Sequence, residues 1–269
     1  MVSPFRRFES SRPRTVKQMI TSQNKAAVVL AAGKGTRMKS ELPKVAIPVS
    51  GKPMIQYVLE NLRKSGIQDV VIVVGYKRED VIRLANTEGL NIQFAVQESQ
   101  NGTAHALLSA EETLKNFTGS IIVASGDMPM IQPETFRTLM ESHQNSGNGA
   151  TVLSSFMEDP TGYGRLVRNS TNELMEIIEE KDAADDIREI KEVNTGTYIF
   201  ESPEIFDILK NINSENKQKE FYLTDAVSIF RKKGVPVGSV AVQNSDESLG
   251  ANSIEDVKRI EERMKLLVG

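Results

Sequence analysis

The residues best suited to chemistry fall in one short stretch. Leu30-Ala-Ala-Gly-Lys-Gly-Thr-Arg-Met38 follows an apolar run, with Pro43-Lys44 shortly beyond it. Glycines in such a loop let backbone N–H groups come close to a polyphosphate. Arg37 and Lys44 would neutralise its charge, the arginine gripping two oxygens at once. The spacing is not the dinucleotide-binding pattern, because position 38 is Met, and no Gly-Lys-Ser/Thr follows at P-loop spacing. Two glycines in a strand-to-helix turn are commonly structural; with Arg37 and Lys44 beside them, phosphate binding is the stronger reading. A second feature is Asp127, directly after Gly126 at the end of another apolar run. It either opens a turn or offers a hard oxygen ligand to Mg²⁺.

Short apolar runs alternate with helix-period segments, and these must position the loop and the carboxylate. Runs at 26–30, 70–74 and 120–125 are too apolar for half-exposed strands and read as buried on both faces. Strands are also expected at 92–96, 151–156, 166–167, 174–178, 193–200 and 235–242, some of the later ones antiparallel. Helices are expected from Pro53, placed as the first helical residue, to a stop at Gly66, and over 78–87, 103–115, 203–211 and 221–233. Ile254, Val257, Ile260, Met264 and Leu267 mark an amphipathic C-terminal helix, with Asn252 placed as a cap before it. Alternating strands and helices imply an α/β fold, Rossmann-like and doubly wound, with a mixed, mostly parallel sheet. The expected division is an N-terminal extension over 1–24, one domain over 25–252 with halves at about 25–130 and 131–252, and the helix over 253–269.

Composition narrows the function classes. The 269 residues carry a formal net charge of −3, which recommends no nucleic-acid partner. The absence of cysteine excludes disulfides and thiolate chemistry, and His105 and His143 alone cannot form a histidine metal cluster. No apolar run approaches the roughly 20 residues of a membrane span. A cytoplasmic location is expected. The first stretch, with Arg6, Arg7, Arg12 and Arg14, shares some composition with an organellar transit peptide but reads as a disordered tail or an upstream start ahead of Met19.

The loop over 30–38 with Pro43-Lys44 resembles the signature of sugar-phosphate nucleotidyltransferases. Further segments narrow the resemblance: Gln97-Glu-Ser-Gln-Asn-Gly-Thr-Ala-His105, Gly126-Asp-Met-Pro129, Asp159-Pro-Thr-Gly-Tyr-Gly-Arg165, Glu179-Glu-Lys-Asp182, Asn194-Thr-Gly196 and Tyr222-Leu-Thr-Asp225. Their order and spacing are similar to the uridylyltransferase domain of the bifunctional N-acetylglucosamine-1-phosphate uridylyltransferase/glucosamine-1-phosphate acetyltransferase family. The resemblance implies the nucleotide-diphospho-sugar transferase fold, with UTP and a sugar 1-phosphate as substrates. A phosphate oxygen of the sugar would attack the α-phosphorus, and pyrophosphate would leave. That nucleophile is already anionic, so no general base is required, in keeping with a sequence that lacks a Ser-His-Asp arrangement.

On the resemblance, Arg37, Lys44 and Asp127 are the catalytic residues, and Asp127 and Asn252 hold Mg²⁺. Leu30, Ala31, Ala32, Gly33, Lys44, Gln97, Gln100, Gly102 and Thr103 bind the nucleotide, the two amides suiting the donor–acceptor edge of uracil; without the resemblance they read equally as a polar loop. Gly126, Gly164, Glu179, Asn194, Tyr222 and Thr224 serve the sugar and its phosphate. Tyr222 either stacks or packs, Lys181 reads as a phosphate contact or a solvated lysine, and His105 reads as a packing residue. Two departures stand out. Ser125 occupies a position where relatives of this type often carry an aromatic residue, which puts strict sugar specificity in question. The hexapeptide repeats of the acetyltransferase do not follow, so acetyl transfer is not expected and the oligomeric state is open. The rivals are a transferase using another pair, such as glucose 1-phosphate with UTP or dTTP, and a non-catalytic sugar-nucleotide sensor. The sensor should have lost Arg37, Lys44 or Asp127, and all three are present.

Overall fold

The computed structural model describes residues 24–35, 38 and 40–268. Arg37 and all but the last residue of the extension over 1–24 lie outside the described residues. The chain opens with β1 (Lys25–Ala31), a 3-10 turn over Lys44–Ala46 and a hairpin of β2 (Pro48–Val49) and β3 (Lys52–Pro53). Then come α1 (Met54–Lys64), β4 (Asp69–Val74), α2 (Arg78–Leu84), β5 (Asn91–Val96), α3 (Thr103–Leu108) and β6 (Gly119–Ser125). The second half holds α4 (Pro133–Ser146), β7 (Ala150–Phe156), β8 (Arg165–Arg168), β9 (Leu174–Ile178), α5 (Asp185–Arg188) and β10 (Glu192–Ser202). It closes with α6 (Glu204–Leu209), α7 (Asp225–Lys232), β11 (Val237–Ala241) and α8 (Ile254–Val268). Among the described residues no helix is long and apolar enough to cross a membrane.

The main sheet runs β11-β7-β10-β6-β1-β4-β5, with β8 pairing β10 and β9. β6, β1, β4 and β5 are mutually parallel, as are β11 and β7, while β10 runs against both β6 and β7. This is the mostly parallel, mixed, doubly wound α/β sheet that the alternation implied. Successive β1 residues feed opposite faces. Ala26 and Val28 join a core with Leu107, Phe206 and Phe230, whereas Ala27 and Val29 join Ile55, Leu59 and Phe136 on the other side. Burial on both faces is why β1, β4 and β6 read as unbroken apolar runs. A third cluster seats Val257 and Ile260 of α8 against Met38, Met54 and Met130.

Local differences from the sequence reading have identifiable causes. Pro53 pairs with Pro48 in the hairpin and so precedes α1 as its cap instead of starting it. The helix expected over 103–115 stops at Leu108 and continues as tighter turns, in which Ala110 N–H donates to Leu107 (3.0 Å) and Glu111 N–H to Leu108 (3.0 Å). The long helix α4 was absent from the expectation, although Pro133 at its start and Gly147 at φ +63° after its end are ordinary helix punctuation.

A buried polar network pins α4 to the sheet. His143 Nδ1 lies 2.8 Å from Thr151 Oγ1 and its Nε2 2.9 Å from Glu201 Oε1, which also accepts from Ser120 Oγ at 2.8 Å. Burial pushes the Glu201 carboxyl up, but the bonds from His143 and Ser120 outweigh it and hold the group below the usual carboxylate range. A depressed folded-state value stabilises the fold above the unfolded pKa and is lost as pH falls through the folded one. Glu201→Gln is therefore expected to flatten the acid limb of stability, measured as urea midpoints between pH 3 and 7. An unchanged acid limb would contradict this role.

Candidate active site

Parallel strands bring their carboxyl ends to one edge of the sheet, where doubly wound folds bind ligands. Here the register aligns Ala31, Val74 and Val96, with Leu30 opposite Ser125. The glycine loop leaves β1 at that edge, Gln97 leaves β5, and Asp127 leaves β6. Because β10 runs the opposite way, its beginning reaches the same edge, with an irregularity between Asn194 and Thr197 facing the mouth of the site.

Two adjoining cavities open there. One, about 270 Å³, is lined by Leu30, Ala31, Ala32, Gly33, Lys44, Gln97, Gln100, Gly102 and Thr103, joined by Val45, Ala106 and Glu220. The other, about 200 Å³, is lined by Gly164, Glu179, Asn194, Asn252 and, among others, Tyr163, Tyr198 and Gly250. Leu30, Thr103, Ser125 and Asp127 border both. A wider concavity, about 1150 Å³ beside β11, contains none of these residues, and its charged lining includes the pairs Arg168–Glu192 and Arg231–Glu173.

At the junction, Lys44 Nζ is ion-paired with Asp127 Oδ2 and donates to Asn252 Oδ1 at 2.8 Å. Two oxygen donors from distant segments thus converge on one positive charge. Among the described residues no group of three or more His, Cys, Asp or Glu is arranged to hold a metal. The cap of α8 is Ser253, not Asn252: Asp256 N–H donates to Ser253 Oγ at 3.1 Å, and Asp256 Oδ2 accepts from the N–H groups of Asn252 and Ser253 at 2.9 and 2.8 Å. Gly126 borders neither cavity. Its N–H donates to the Leu30 carbonyl at 3.0 Å, and a Cβ there would meet Val45 Cγ1 at 2.9 Å, so its smallness lets β6 deliver Asp127 beside Lys44.

On the nucleotide side, Gln97 is 3 % exposed and its Nε2 donates to the Gly102 carbonyl at 3.2 Å while lying 3.0 Å from His105 Nδ1. His105 therefore orients Gln97. Gln100 Nε2 donates to the Gln97 carbonyl at 3.4 Å. Gly102 sits at φ +114°, and a Cβ would stand 2.5 Å from the Phe221 carbonyl oxygen and 2.7 Å from its nitrogen. Both are backbone atoms and cannot swing away. Gly102→Ala is expected to cost roughly 1–3 kcal/mol and to weaken nucleotide binding, read by thermal unfolding and calorimetry with UTP. Wild-type values for both would contradict that reading.

On the other side, Asn194 Nδ2 donates to the Tyr198 hydroxyl at 2.7 Å, and Gly196 N–H donates to Asn194 Oδ1 at 3.0 Å. Burial raises the Tyr198 phenol. Burial also pushes the Glu179 carboxyl above its usual range, helped by Asp225, Asp182 and Glu220 and opposed by the hydrogen bond that Thr224 Oγ1 donates at 3.2 Å. Thr224 thus stands one layer behind the cavity wall. Tyr222 also borders neither cavity: its hydroxyl donates to Asp182 Oδ2 at 3.1 Å and accepts from Gln218, and burial is the main force pushing it up to about 12. Lys181 is exposed and donates to Gln218 Oε1 at 2.6 Å.

The family model described as Nucleotidyl transferase matches residues 26–246. The chain belongs to this family. This nucleotidyl transferase is 41% identical over 239 residues to the Bifunctional protein GlmU of Acholeplasma laidlawii, covering 89% of this chain and 51% of that protein. It is 45% identical over 226 residues to the GlmU of Geobacillus thermodenitrificans, covering 84% and 49%. The chain therefore spans about half the length of the curated relatives it matches. In structure it is similar to a UDP-glucose pyrophosphorylase complexed with UDP-glucose (TM-score 0.74, 21% identity, 90% of this chain and 99% of that one). It is equally similar to a putative glucose-1-phosphate thymidylyltransferase from Bacillus anthracis (TM-score 0.73, 21% identity, 89% and 95%). These two likenesses show the nucleotide-diphospho-sugar transferase fold.

Proposed function

We propose that the chain transfers a uridylyl group from UTP to N-acetylglucosamine 1-phosphate, giving UDP-N-acetylglucosamine and pyrophosphate. The observation that carries this reading is the meeting of two cavities at Asp127 and Lys44. A nucleotide in the first and a sugar phosphate in the second would bring their phosphates together there. The motif resemblance to the uridylyltransferase domain, together with 41–45% identity to GlmU proteins, supports the choice of substrates.

The reaction forms a bond from a sugar-phosphate oxygen to the α-phosphorus of UTP and breaks the bond from that phosphorus to the bridging oxygen of pyrophosphate. The difficulty is that two anions must meet, so charge neutralisation and positioning supply the catalysis. Lys44 balances charge on the triphosphate, and the resemblance assigns the same role to Arg37. Gln97 Oε1 and the Gln100 amide face the base, and Glu179 and Asn194 face the sugar, their polar atoms suited to neutral hydroxyl and amide groups. Asp127 and Asn252 fit Mg²⁺: both offer hard oxygens, they converge on one cationic point, and one or two protein ligands suffice for this ion. Bound there, Mg²⁺ would neutralise developing charge on the phosphates.

A second reading is favoured by Ser125, whose small side chain borders both cavities and leaves room for a different sugar. A panel of sugar 1-phosphates and triphosphates separates the two. The highest kcat/KM is expected for UTP with N-acetylglucosamine 1-phosphate; a higher value for glucose 1-phosphate, with UTP or dTTP, would replace this assignment.

A further inference from the structure

Among the described residues, the largest side chain wholly withdrawn from solvent is a charged one. Arg165, at the start of β8, is 1 % exposed. Its NH2 meets Glu180 Oε2 at 2.7 Å and reaches the Arg188 carbonyl at 3.4 Å, and its NH1 donates to the Tyr163 carbonyl. Neither its Nε nor Glu180 Oε2 has a hydrogen-bond partner among the described residues, so the two side chains meet as an ion pair alone. A buried ion pair of this kind is commonly no more stabilising than an apolar pair of the same volume. Stability alone is thus a weak reason for an incompletely satisfied arginine in this place.

Its location supplies a better one. Gly164 directly precedes Arg165, and Glu179 directly precedes Glu180. Gly164 and Glu179 both line the cavity assigned above to the sugar. They also lie close together, since a Cβ on Gly164 would stand 3.5 Å from Glu179 Oε2. Arg165 pairs in register with Ile178 of β9 and with Val193 of β10, next to Asn194. Asn194 N–H in turn donates to the Gly164 carbonyl at 2.8 Å. One arginine therefore stands behind three sugar-side residues that come from three segments.

We propose that Arg165 and Glu180 are positioning residues: their ion pair clamps the Gly164 turn to the Glu179 turn and so fixes the width of the sugar-phosphate pocket. The inference rests on the functional reading above and deepens it. A displacement of about 1 Å at a binding group is enough to cost up to ~100-fold in reaction, so a clamp that touches neither substrate directly can still decide how one of them is held.

The test uses the full chain and its two separate Michaelis constants. Glu180→Leu is expected to raise KM for the sugar 1-phosphate about tenfold while leaving KM for UTP within about twofold. Glu180→Gln, which keeps an oxygen for Arg165, should fall between it and wild type. Arg165→Met should behave like Glu180→Leu; because Glu180→Leu leaves the buried Arg165 unpaired, Glu180→Gln and the double variant Arg165→Met/Glu180→Leu, which leaves no lone buried charge, keep the test readable in folded protein. Thermal midpoints are measured alongside, because a merely structural pair would lower them without separating the two constants. Constants that stay unchanged, or that rise together, overturn the clamp while the uridylyltransferase reading stands. A wild type inactive with every sugar 1-phosphate would instead remove that reading and the clamp with it.

Discussion

Asp127→Ala is expected to lower pyrophosphate release by about 10³-fold or more while the protein stays folded. The magnitude follows from the position of the carboxylate, at the junction where two anionic substrates must meet. Removing a single preorganised partner of transition-state charge costs ~10²–10³ in turnover, and Asp127 is also one of the two oxygen donors suited to Mg²⁺. The fold should survive because the side chain is partly exposed at the sheet edge and outside the apolar cores. Its ammonium partner would still be held by Asn252. Asp127→Asn keeps the volume and removes the charge, so it should show nearly the full loss. Turnover within about threefold of wild type in a folded Asp127→Ala protein would contradict the assignment of this residue.

Lys44→Met should have the next largest effect, a fall of about 10²–10³-fold in kcat/KM. Lys44 is the described cation that touches both Asp127 and Asn252, and the cavity it lines is the one assigned to the triphosphate. Methionine preserves the apolar stem beside Gly35 and removes only the charge. UTP affinity should fall together with turnover, because neutralisation is needed in the ground state as well as at the moment of transfer. Lys44→Arg should restore little, since a planar fork is a poor substitute for a compact ammonium bridging two oxygens. Calorimetry with UTP, run beside the steady-state assay, separates the two contributions. Undiminished UTP binding in Lys44→Met would place the triphosphate elsewhere.

Much of this site is legible in the amino-acid sequence, for a physical reason. Strands buried on both faces leave unbroken apolar runs, which mark β1, β4 and β6, and the residues just after them sit at the binding edge of a parallel sheet. That logic reaches Gly33 and Asp127; Gln97, which follows the half-exposed β5, is singled out only by the resemblance. Nor does that logic reach Glu220, which enters the nucleotide cavity because the segment around Phe221 is laced to α3 through Ala104 N–H and the Phe221 carbonyl at 2.9 Å. No local periodicity records such a contact. Tyr198 belongs to the core with Phe200, as alternation along β10 predicts, and it also borders the sugar cavity, where its hydroxyl accepts from Asn194 beside the irregularity in β10; alternation does not record that second role. The resemblance points to Thr224 and Tyr222, yet their chemistry is indirect: one bonds Glu179 and the other Asp182. Arg165 is visible in the sequence only as the end of a turn motif. Its burial depends on β8 being covered by β9, β10 and α5, contacts that neighbouring residues in the chain do not encode.

The most direct test follows the phosphorus atoms. With N-acetylglucosamine 1-phosphate and Mg²⁺, UTP labelled at the α-phosphorus should place its label in the sugar nucleotide, and UTP labelled at the γ-phosphorus should place it in pyrophosphate. Transfer of the γ-label to the sugar, or its release as inorganic phosphate, would contradict attack at the α-phosphorus and with it the account of the two joined cavities.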